Sequence, residues 1–364
     1  MSAPPVMIMA GGTGGHVFPA LALARLLREQ RREVIWLGTQ RGLEARVVPA
    51  DGFPIEWLSV GGLRGKGALT LLAAPFNLLR ALWQALAIVR RHRPGVVVGL
   101  GGFVTGPGGL AAWLMRRPLV VHEQNAVAGF TNRCLAPLAR AVLTAFPAAL
   151  AGRSRVRMIG NPVRADIAAL PVPAQRFAQR DGALRLLVIG GSLGARRLNE
   201  VVPQALALLA QQPRAPQFSV RHQAGEKLID GARAAYATAG VAGEVSPFIA
   251  DMAESLGWAD LVVCRAGALT IAELAAAGIG AVLVPFPHAV DDHQTFNAQY
   301  LVEAGAARRF ADRELTPALL AATLTELCAN GRAGLLQLAE AARGVAKPRA
   351  AQDLLAAVLA AEAA

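Results

Sequence analysis

One pattern occurs twice in this chain and restricts its fold more than any other feature. Val6-Met7-Ile8-Met9-Ala10 is an apolar run of strand length that enters Gly11-Gly12-Thr13-Gly14-Gly15-His16. Apolar residues then recur at helical spacing (Ala20, Leu23, Leu26, Leu27), with a helix start expected near Pro19. Much later Leu186-Leu187-Val188-Ile189 enters Gly190-Gly191-Ser192-Leu193-Gly194, and a helix follows from about Arg196. Strand, glycine turn and helix open a Rossmann-like unit. Their repetition predicts tandem α/β domains of similar plan, which suits a chain of 364 residues at roughly 150 per domain. Further short apolar runs alternate with helical segments: 34–37, 96–99 and 119–122 in the first half, 262–264 and 281–284 in the second. That alternation predicts parallel sheets covered by helices. The boundary is expected at Gly160-Asn161-Pro162-Val163-Arg164. The segment 171–181 reads as a polar connection, and 349–364 as an Ala/Leu helix.

Composition removes several classes. Cys134, Cys264 and Cys328 are odd in number and far apart, so neither a disulfide framework nor a zinc site is indicated, and a reducing compartment fits. The first nine residues carry no basic region and read as a strand rather than a signal peptide. Residues 94–115 carry no charge, yet glycines at 101, 102, 106, 108 and 109 favour strand, loop and helix over one spanning helix. The net charge of +12 is segregated: residues 1–161 hold 19 Arg and Lys against 6 Asp and Glu, and 162–364 hold 18 against 19. A one-sided positive field predicts an anionic surface or substrate facing the first half. A nucleic acid is the other partner that a pI near 11 suggests, but no binding motif supports it and Lys occurs three times.

Three glycine loops, 11–15, 101–107 and 190–194, follow strands, where parallel sheets bind ligands. Glycine there lets backbone N–H groups approach a phosphate beside a helix N-terminus. The first loop is not GxGxxG, and the second strand ends Leu37-Gly38-Thr39-Gln40 without an acidic residue for an adenosine ribose. There is no Walker A motif. His16 is either a general base, favoured in its neutral form by the positive helix end, or a loop residue bonded to backbone. His122-Glu123-Gln124-Asn125 puts four polar side chains after a strand, as a ligand site or as a self-stabilising loop; Ala126 rules out HExxH. Glu273, just inside the helix after Cys264-Arg265-Ala266-Gly267-Ala268-Leu269-Thr270, is either a ribose acceptor or a solvated helix residue. No DxD motif occurs, which disfavours a metal-bridged diphosphate; no cofactor and no metal are expected. Residues 61–94 join a basic glycine loop to Leu69, Leu71, Leu72, Phe76, Leu79 and Trp83, then Arg90, Arg91 and Arg93. That fits an ordinary core helix or a membrane interface, and the charge segregation favours the membrane.

In order along the chain, the blocks at 11–16, 101–107, 122–125, 160–164, 190–192 and 264–270 resemble the MurG family of peptidoglycan glycosyltransferases. The resemblance implies an α/β GT-B fold of two Rossmann-like domains whose parallel sheets face each other across a cleft. It implies residues 1–161 as the acceptor and membrane-facing domain, 162–345 as the UDP-sugar domain, and a terminal helix at about 346–364 packing back on the first. The implied reaction is inverting transfer of N-acetylglucosamine from UDP-N-acetylglucosamine to the C4 hydroxyl of lipid I, undecaprenyl-diphospho-N-acetylmuramoyl-pentapeptide, giving lipid II. Matching motif by motif implies His16 as general base and Glu123 as a further catalytic group. Substrate contacts fall on Thr13, Gly14, Gly15, Asn125, Arg164, Ser192, Ile249, Ala268, Leu269, Thr270, Ile271, Ala272, Glu273 and Gln294. Among these, Glu273 takes the ribose, Ser192 the diphosphate and the Ile249 backbone the uracil. Two departures stand out: Ala266 where Ser is common, and a 286–294 stretch one residue longer than in some relatives, which selects Gln294 over His293. The family further implies a peripheral enzyme on the cytoplasmic face of the bacterial inner membrane, acting in cell shape and division, with cell-wall synthesis proteins as partners. A related GT-B enzyme on a soluble substrate, such as a UDP-sugar epimerase, is the second reading; the one-sided charge and the 61–83 patch speak against it.

Overall fold

The computed structural model describes residues 3–61, 68–153, 155–191 and 193–363, and within these the side chains of 68–73 are left out. The chain forms two compact units: the first runs to Pro162 and includes the C-terminal segment from Pro348, and the second is Val163–Lys347.

The first unit is a seven-stranded parallel sheet of β1 (Val6–Ala10), β2 (Val34–Gly38), β3 (Ile55–Trp57), β4 (Val96–Gly101), β5 (Leu119–Glu123), β6 (Ala141–Thr144) and β7 (Val156–Met158), in the order β3-β2-β1-β4-β5-β6-β7. Successive strand residues point to opposite faces, and each face has its own core. Val6, Ile8, Trp36, Val98 and Leu100 pack with Val17, Leu23 and Leu27 of the helix Gly14–Glu29 and with Leu354 and Val358 of the helix Ala350–Ala363. Met7, Met9, Ile35, Leu37, Val97 and Val121 pack with Ala85 and Val89 of the helix Ala68–His92 and with Ala111 and Ala112 of the helix Thr105–Leu114. Burial on both faces is why these strands read as continuous apolar runs rather than alternating ones. The terminal helix is held further by Arg32, which pairs with Glu362 at 2.7 Å.

The second unit is a six-stranded parallel sheet of β8 (Leu184–Ile189), β9 (Phe218–Gln223), β10 (Glu244–Ser246), β11 (Leu261–Cys264), β12 (Gly280–Leu283) and β13 (Ala307–Arg309), in the order β10-β9-β8-β11-β12-β13. Leu186, Val188, Leu261 and Val263 pack against Leu198, Val202 and Leu206 of the helix Arg196–Ala210 and Leu320 and Leu324 of the helix Pro317–Leu327. Both sheets reverse their strand order once, between β1 and β4 and between β8 and β11. These switch points are where an open parallel sheet leaves a crevice beyond its carboxyl ends.

Two local expectations are corrected. The first helix begins at Gly14, not near Pro19, and carries Pro19 inside it. The glycine run therefore supplies the helix's first turn, and Pro19 stands early enough that its missing N–H costs a single bond close to the start. The segment 171–181 is not a polar connection: Pro173–Ala178 is helical, with Arg176 and Phe177 buried. Arg176 donates at 2.6 Å to both the Ala277 and Gly278 carbonyls, covering the end of the helix Ala268–Ala277. An arginine at a helix C-terminus takes up carbonyls that the helix leaves open.

Candidate active site

At the first switch point, residue 10 of β1 pairs with residue 101 of β4, and the Gly11 N–H donates to the Gly101 carbonyl at 3.3 Å. Gly102 has a φ of +88°, and a Cβ there would run into the Gly11 backbone, so only glycine fits. Thr13 is the N-cap of the helix Gly14–Glu29 in extended conformation, and its side chain makes no capping hydrogen bond among the described residues. The N–H groups of Gly14 and Gly15 lie in its first turn, where the helix dipole favours an anion. The loop is anchored from below by Glu44, fully buried, whose carboxylate accepts from the Gly12 N–H at 2.9 Å and from the Thr39 N–H and hydroxyl at 2.9 and 2.8 Å. Sequence reading missed Glu44, and nothing local marks it; its role exists only because β1 and β2 end side by side.

His16 is half-buried, and its Nδ1 lies 3.0 Å from Gln124 Oε1. Gln124, just past the end of β5, is buried, with Nε2 at 3.0 Å from His122 Nδ1 and 3.2 Å from the His122 carbonyl. His122 Nε2 lies 2.9 Å from the Gly160 carbonyl, and Asn161 Nδ2 donates to the Gln124 carbonyl at 3.0 Å. Burial pushes the His122 imidazole down to about 4, with His16 adding a smaller push in the same direction. The polar cluster at 122–125 is thus divided in use: two members are tied to His16.

The other two are Glu123 and Asn125. Glu123 is buried and its oxygens are occupied: Oε1 accepts from the Asn125 N–H at 2.9 Å, and Oε2 from the Gly129 N–H at 3.0 Å and Asn132 Nδ2 at 2.8 Å. Its geometry is that of a loop anchor rather than of a group presented to substrate. Asn125 is half-buried at the mouth of this loop.

In the second unit, Gly190 and Gly191 follow β8; Ser192 lies outside the described residues. The helix Arg196–Ala210 after this loop also has no side-chain cap. Beside it, Arg265, Ala266 and Gly267 lead from β11 into Ala268–Ala277, whose N-cap Gly267 again carries no side-chain cap. Gln294 Oε1 accepts from the Ala266 N–H at 3.2 Å and the Phe286 N–H at 2.9 Å, so it joins the turns after β11 and β12. Ala268, Leu269, Thr270, Ile271 and Ala272 form the first turns of that helix, with Ala268 and Ile271 buried. Glu273 pairs with Arg164 at 3.1 Å. Burial pushes the Glu273 carboxyl up, and the Arg164 guanidinium offsets only part of that rise. The solvated-helix alternative for Glu273 is therefore replaced by a half-buried ion pair. Ile249 is half-buried in the loop between β10 and the helix Met252–Trp258.

Two parallel sheets, each with a helix N-terminus beside its strand-order reversal, fit the GT-B architecture, and the matches to known proteins make the chain a glycosyltransferase of that type. The glycosyltransferase family 28 N-terminal domain matches residues 6–144, and the family 28 C-terminal domain matches 185–354. The chain belongs to glycosyltransferase family 28 and, within it, to the MurG family. It is 58% identical over 347 residues to the UDP-N-acetylglucosamine–N-acetylmuramyl-(pentapeptide) pyrophosphoryl-undecaprenol N-acetylglucosamine transferase of Alkalilimnicola ehrlichii, covering 95% of this chain and 96% of that one. It is 56% identical over 349 residues to the protein of the same name from Marinobacter nauticus, covering 96% and 95%. The crystal structure of Acinetobacter baumannii MurG superposes with a TM-score of 0.84 at 41% identity, covering 98% of this chain and 99% of that one.

Proposed function

We propose that this chain transfers N-acetylglucosamine from UDP-N-acetylglucosamine to the C4 hydroxyl of the N-acetylmuramoyl sugar of lipid I, with inversion, to give lipid II. The observation that carries the reading is the identity to relatives of that named activity, which runs through both units. The site residues take roles in proportion to their chemistry. His16 accepts the proton of the attacking hydroxyl. Glu273, paired with Arg164, accepts from two ribose hydroxyls, since a carboxylate offers only lone pairs. Ser192 takes the diphosphate and meets the charge that grows on it as it departs, and Gly14 and Gly15 offer their helix-start N–H groups to substrate. Thr13 and Asn125 flank the transferred sugar, the Ile249 backbone reads the uracil, Gln294 holds the two turns at the start of the Ala268–Ala277 helix, and Glu123 positions the Asn125 loop. No resident metal enters this reading, and turnover in excess chelator tests that part alone. Supplying radiolabelled UDP-N-acetylglucosamine and a short-chain lipid I analogue should yield a β-linked disaccharide and UDP in equal amounts. An unchanged donor, or an α-linked product, would overturn the reading.

The same reading puts the first unit against the cytoplasmic face of the inner membrane as a peripheral enzyme, in reach of other cell-wall synthesis proteins. Phe76, Leu79 and Trp83 stand three and seven positions apart on one helix and are exposed, Trp83 at 72%. Trp113 and Leu114 are exposed on the helix Thr105–Leu114, which packs against it. Arg80 and Arg116 are exposed beside them. Apolar rings flanked by cations suit an anionic headgroup layer. Among the described residues no helix is long and apolar enough to cross a membrane. The chain should float with vesicles containing anionic lipid, and Trp83→Glu should leave it at the bottom of the gradient; equal flotation of the variant would remove the membrane assignment.

A further inference from the structure

The hydrogen bonds behind His16 form a directed chain whose sense is set at its far end. The Gly160 carbonyl can only accept, so His122 Nε2, at 2.9 Å, must carry a proton and donate. His122 is buried and, with its imidazole pushed down to about 4, it carries one ring proton near neutral pH, so its Nδ1 is a bare acceptor. The group 3.0 Å from that Nδ1 must then be a donor, which makes it the amide nitrogen of Gln124. The other proton of that nitrogen has its own acceptor, the His122 carbonyl at 3.2 Å, so the amide is fixed in this sense twice over. The amide oxygen is therefore turned to His16 Nδ1 at 3.0 Å, and an oxygen without a proton requires that nitrogen to donate. Gly101 leaves room for the arrangement: a Cβ there would stand 2.6 Å from His16 Nδ1.

We infer that Gln124 and His122 are positioning residues which, starting from the Gly160 carbonyl, lock His16 in the Nδ1–H tautomer, so that its Nε2 is the nitrogen left bare to accept a proton. This rests on the reading of His16 as the general base, and it adds which nitrogen acts and what fixes it. An amide is suited to the task. It passes the constraint from one imidazole to the other by having a donor at one end and an acceptor at the other. Because it does not ionise, it holds the ring orientation without placing a second charge in the buried loop. When the attacking hydroxyl delivers its proton to Nε2, the resulting imidazolium keeps its Nδ1–H bond to Gln124, so no hydrogen bond need be broken during the step. The carbonyl of Gln124 is itself held by Asn161 Nδ2 at 3.0 Å, which ties the backbone of this residue to the strand end at 159–161.

The test is ring nitrogen NMR on the full chain with labelled histidine, His16 and His122 being assigned by substitution. Near neutral pH the unliganded protein should show His16 with a protonated Nδ1 and a bare Nε2, and His122 with the opposite pattern. A wild-type His16 with a protonated Nε2 would overturn the inference outright. Gln124→Leu removes both ends of the link; His16 should then lose its tautomer preference. The transferase kcat should fall about 10- to 100-fold, as when an orienting partner is lost, while KM for the sugar nucleotide stays within about twofold. Gln124→Glu keeps an acceptor for His16 Nδ1–H, so the tautomer should survive and turnover should exceed that of the Leu variant, with the acid limb of the kcat profile moved to higher pH. Equal losses in the Leu and Glu variants with an unaltered His16 tautomer would also overturn the inference. The two claims fail separately: full activity in His16→Ala removes the base, whereas the ring nitrogens report the relay whether or not the base assignment stands.

Discussion

His122 on β5 and His222 on β9 are both buried, and burial pushes both imidazoles down to about 4. Each spends both ring nitrogens on protein partners. His222 Nε2 lies 3.0 Å from Asn199 Oδ1, and its Nδ1 lies 3.0 Å from the Tyr236 hydroxyl. Asn199 passes on to the Ala224 carbonyl at 3.1 Å, and Asn199 and Tyr236 are themselves buried. That network stays within the second unit, ending at the Tyr236 hydroxyl on one side and the Ala224 carbonyl on the other. The one at His122 runs outward through Gln124 to the half-buried His16 at the first switch point. Depth and a displaced pKa are therefore shared by two histidines whose networks lead to different places. What separates them is what the hydrogen-bond chain reaches: a second, half-buried imidazole in one case, and a phenol and a backbone carbonyl in the other. In the second unit the helix that follows β11 carries Glu273, which pairs with Arg164 instead.

The strongest way to break this comparison is to remove one histidine from each chain. His16→Ala should lower kcat by about 10²- to 10⁴-fold, the usual worth of a positioned base, with UDP affinity nearly intact. His222→Gln should leave kcat within about twofold while lowering the melting temperature. A comparable loss of turnover in both variants would erase the distinction. Acid should treat the two alike. Each imidazole takes its proton near 6.5 when unfolded and near 4 when folded, so between those values the unfolded chain binds more protons. The stability is complete above pH 6.5 and is lost as pH falls through the window to 4. The slope is about 1.4 kcal/mol per pH unit for each imidazole, or roughly 3 kcal/mol each across the window. Denaturant titrations at pH 7 and 4.5 check this, and His122→Gln or His222→Gln should each remove one share of the slope. Next in size, Glu273→Gln should raise KM for UDP-N-acetylglucosamine by about 10-fold or more, the worth of hydrogen bonds to a charged group, with a smaller change in kcat. Steady-state kinetics at varied donor would show whether the second unit's switch point works through this pair. The smallest effect is expected at Glu44→Gln, where an amide nitrogen must replace one acceptor in the Gly12 and Thr39 cradle. A cost of about 1–2 kcal/mol in unfolding, read from denaturant titration, would confirm the anchor.

Much of this was legible in the residues because it depends on local chemistry. The runs 6–10, 96–99 and 186–189 are apolar at every position because both faces of a central parallel strand are covered, and they were read as strands on that ground. The glycine loops could be read because a positive φ or a backbone contact leaves few alternatives to glycine. Short edge strands could not: β3, β7, β10 and β13 are three residues each, with half-exposed or exposed positions, and carry no periodicity to detect. The helix start at Gly14 was hidden because glycine propensity argues against helix while the tertiary position of the loop favours it.

By itself, the order of residues determined the strand–turn–helix repeat, the parallel sheets and the short list of polar groups that could do chemistry, since hydrophobic period and turn stereochemistry act over a few neighbours. Only the tertiary structure decided how those groups divide. Gln124 meets His16 across 108 positions and Arg164 meets Glu273 across 109, and Glu123 turns inward to hold its own loop. The physical reason is that a side chain's role follows from which donors and acceptors surround it, and those arrive from distant strand ends brought together by the sheet.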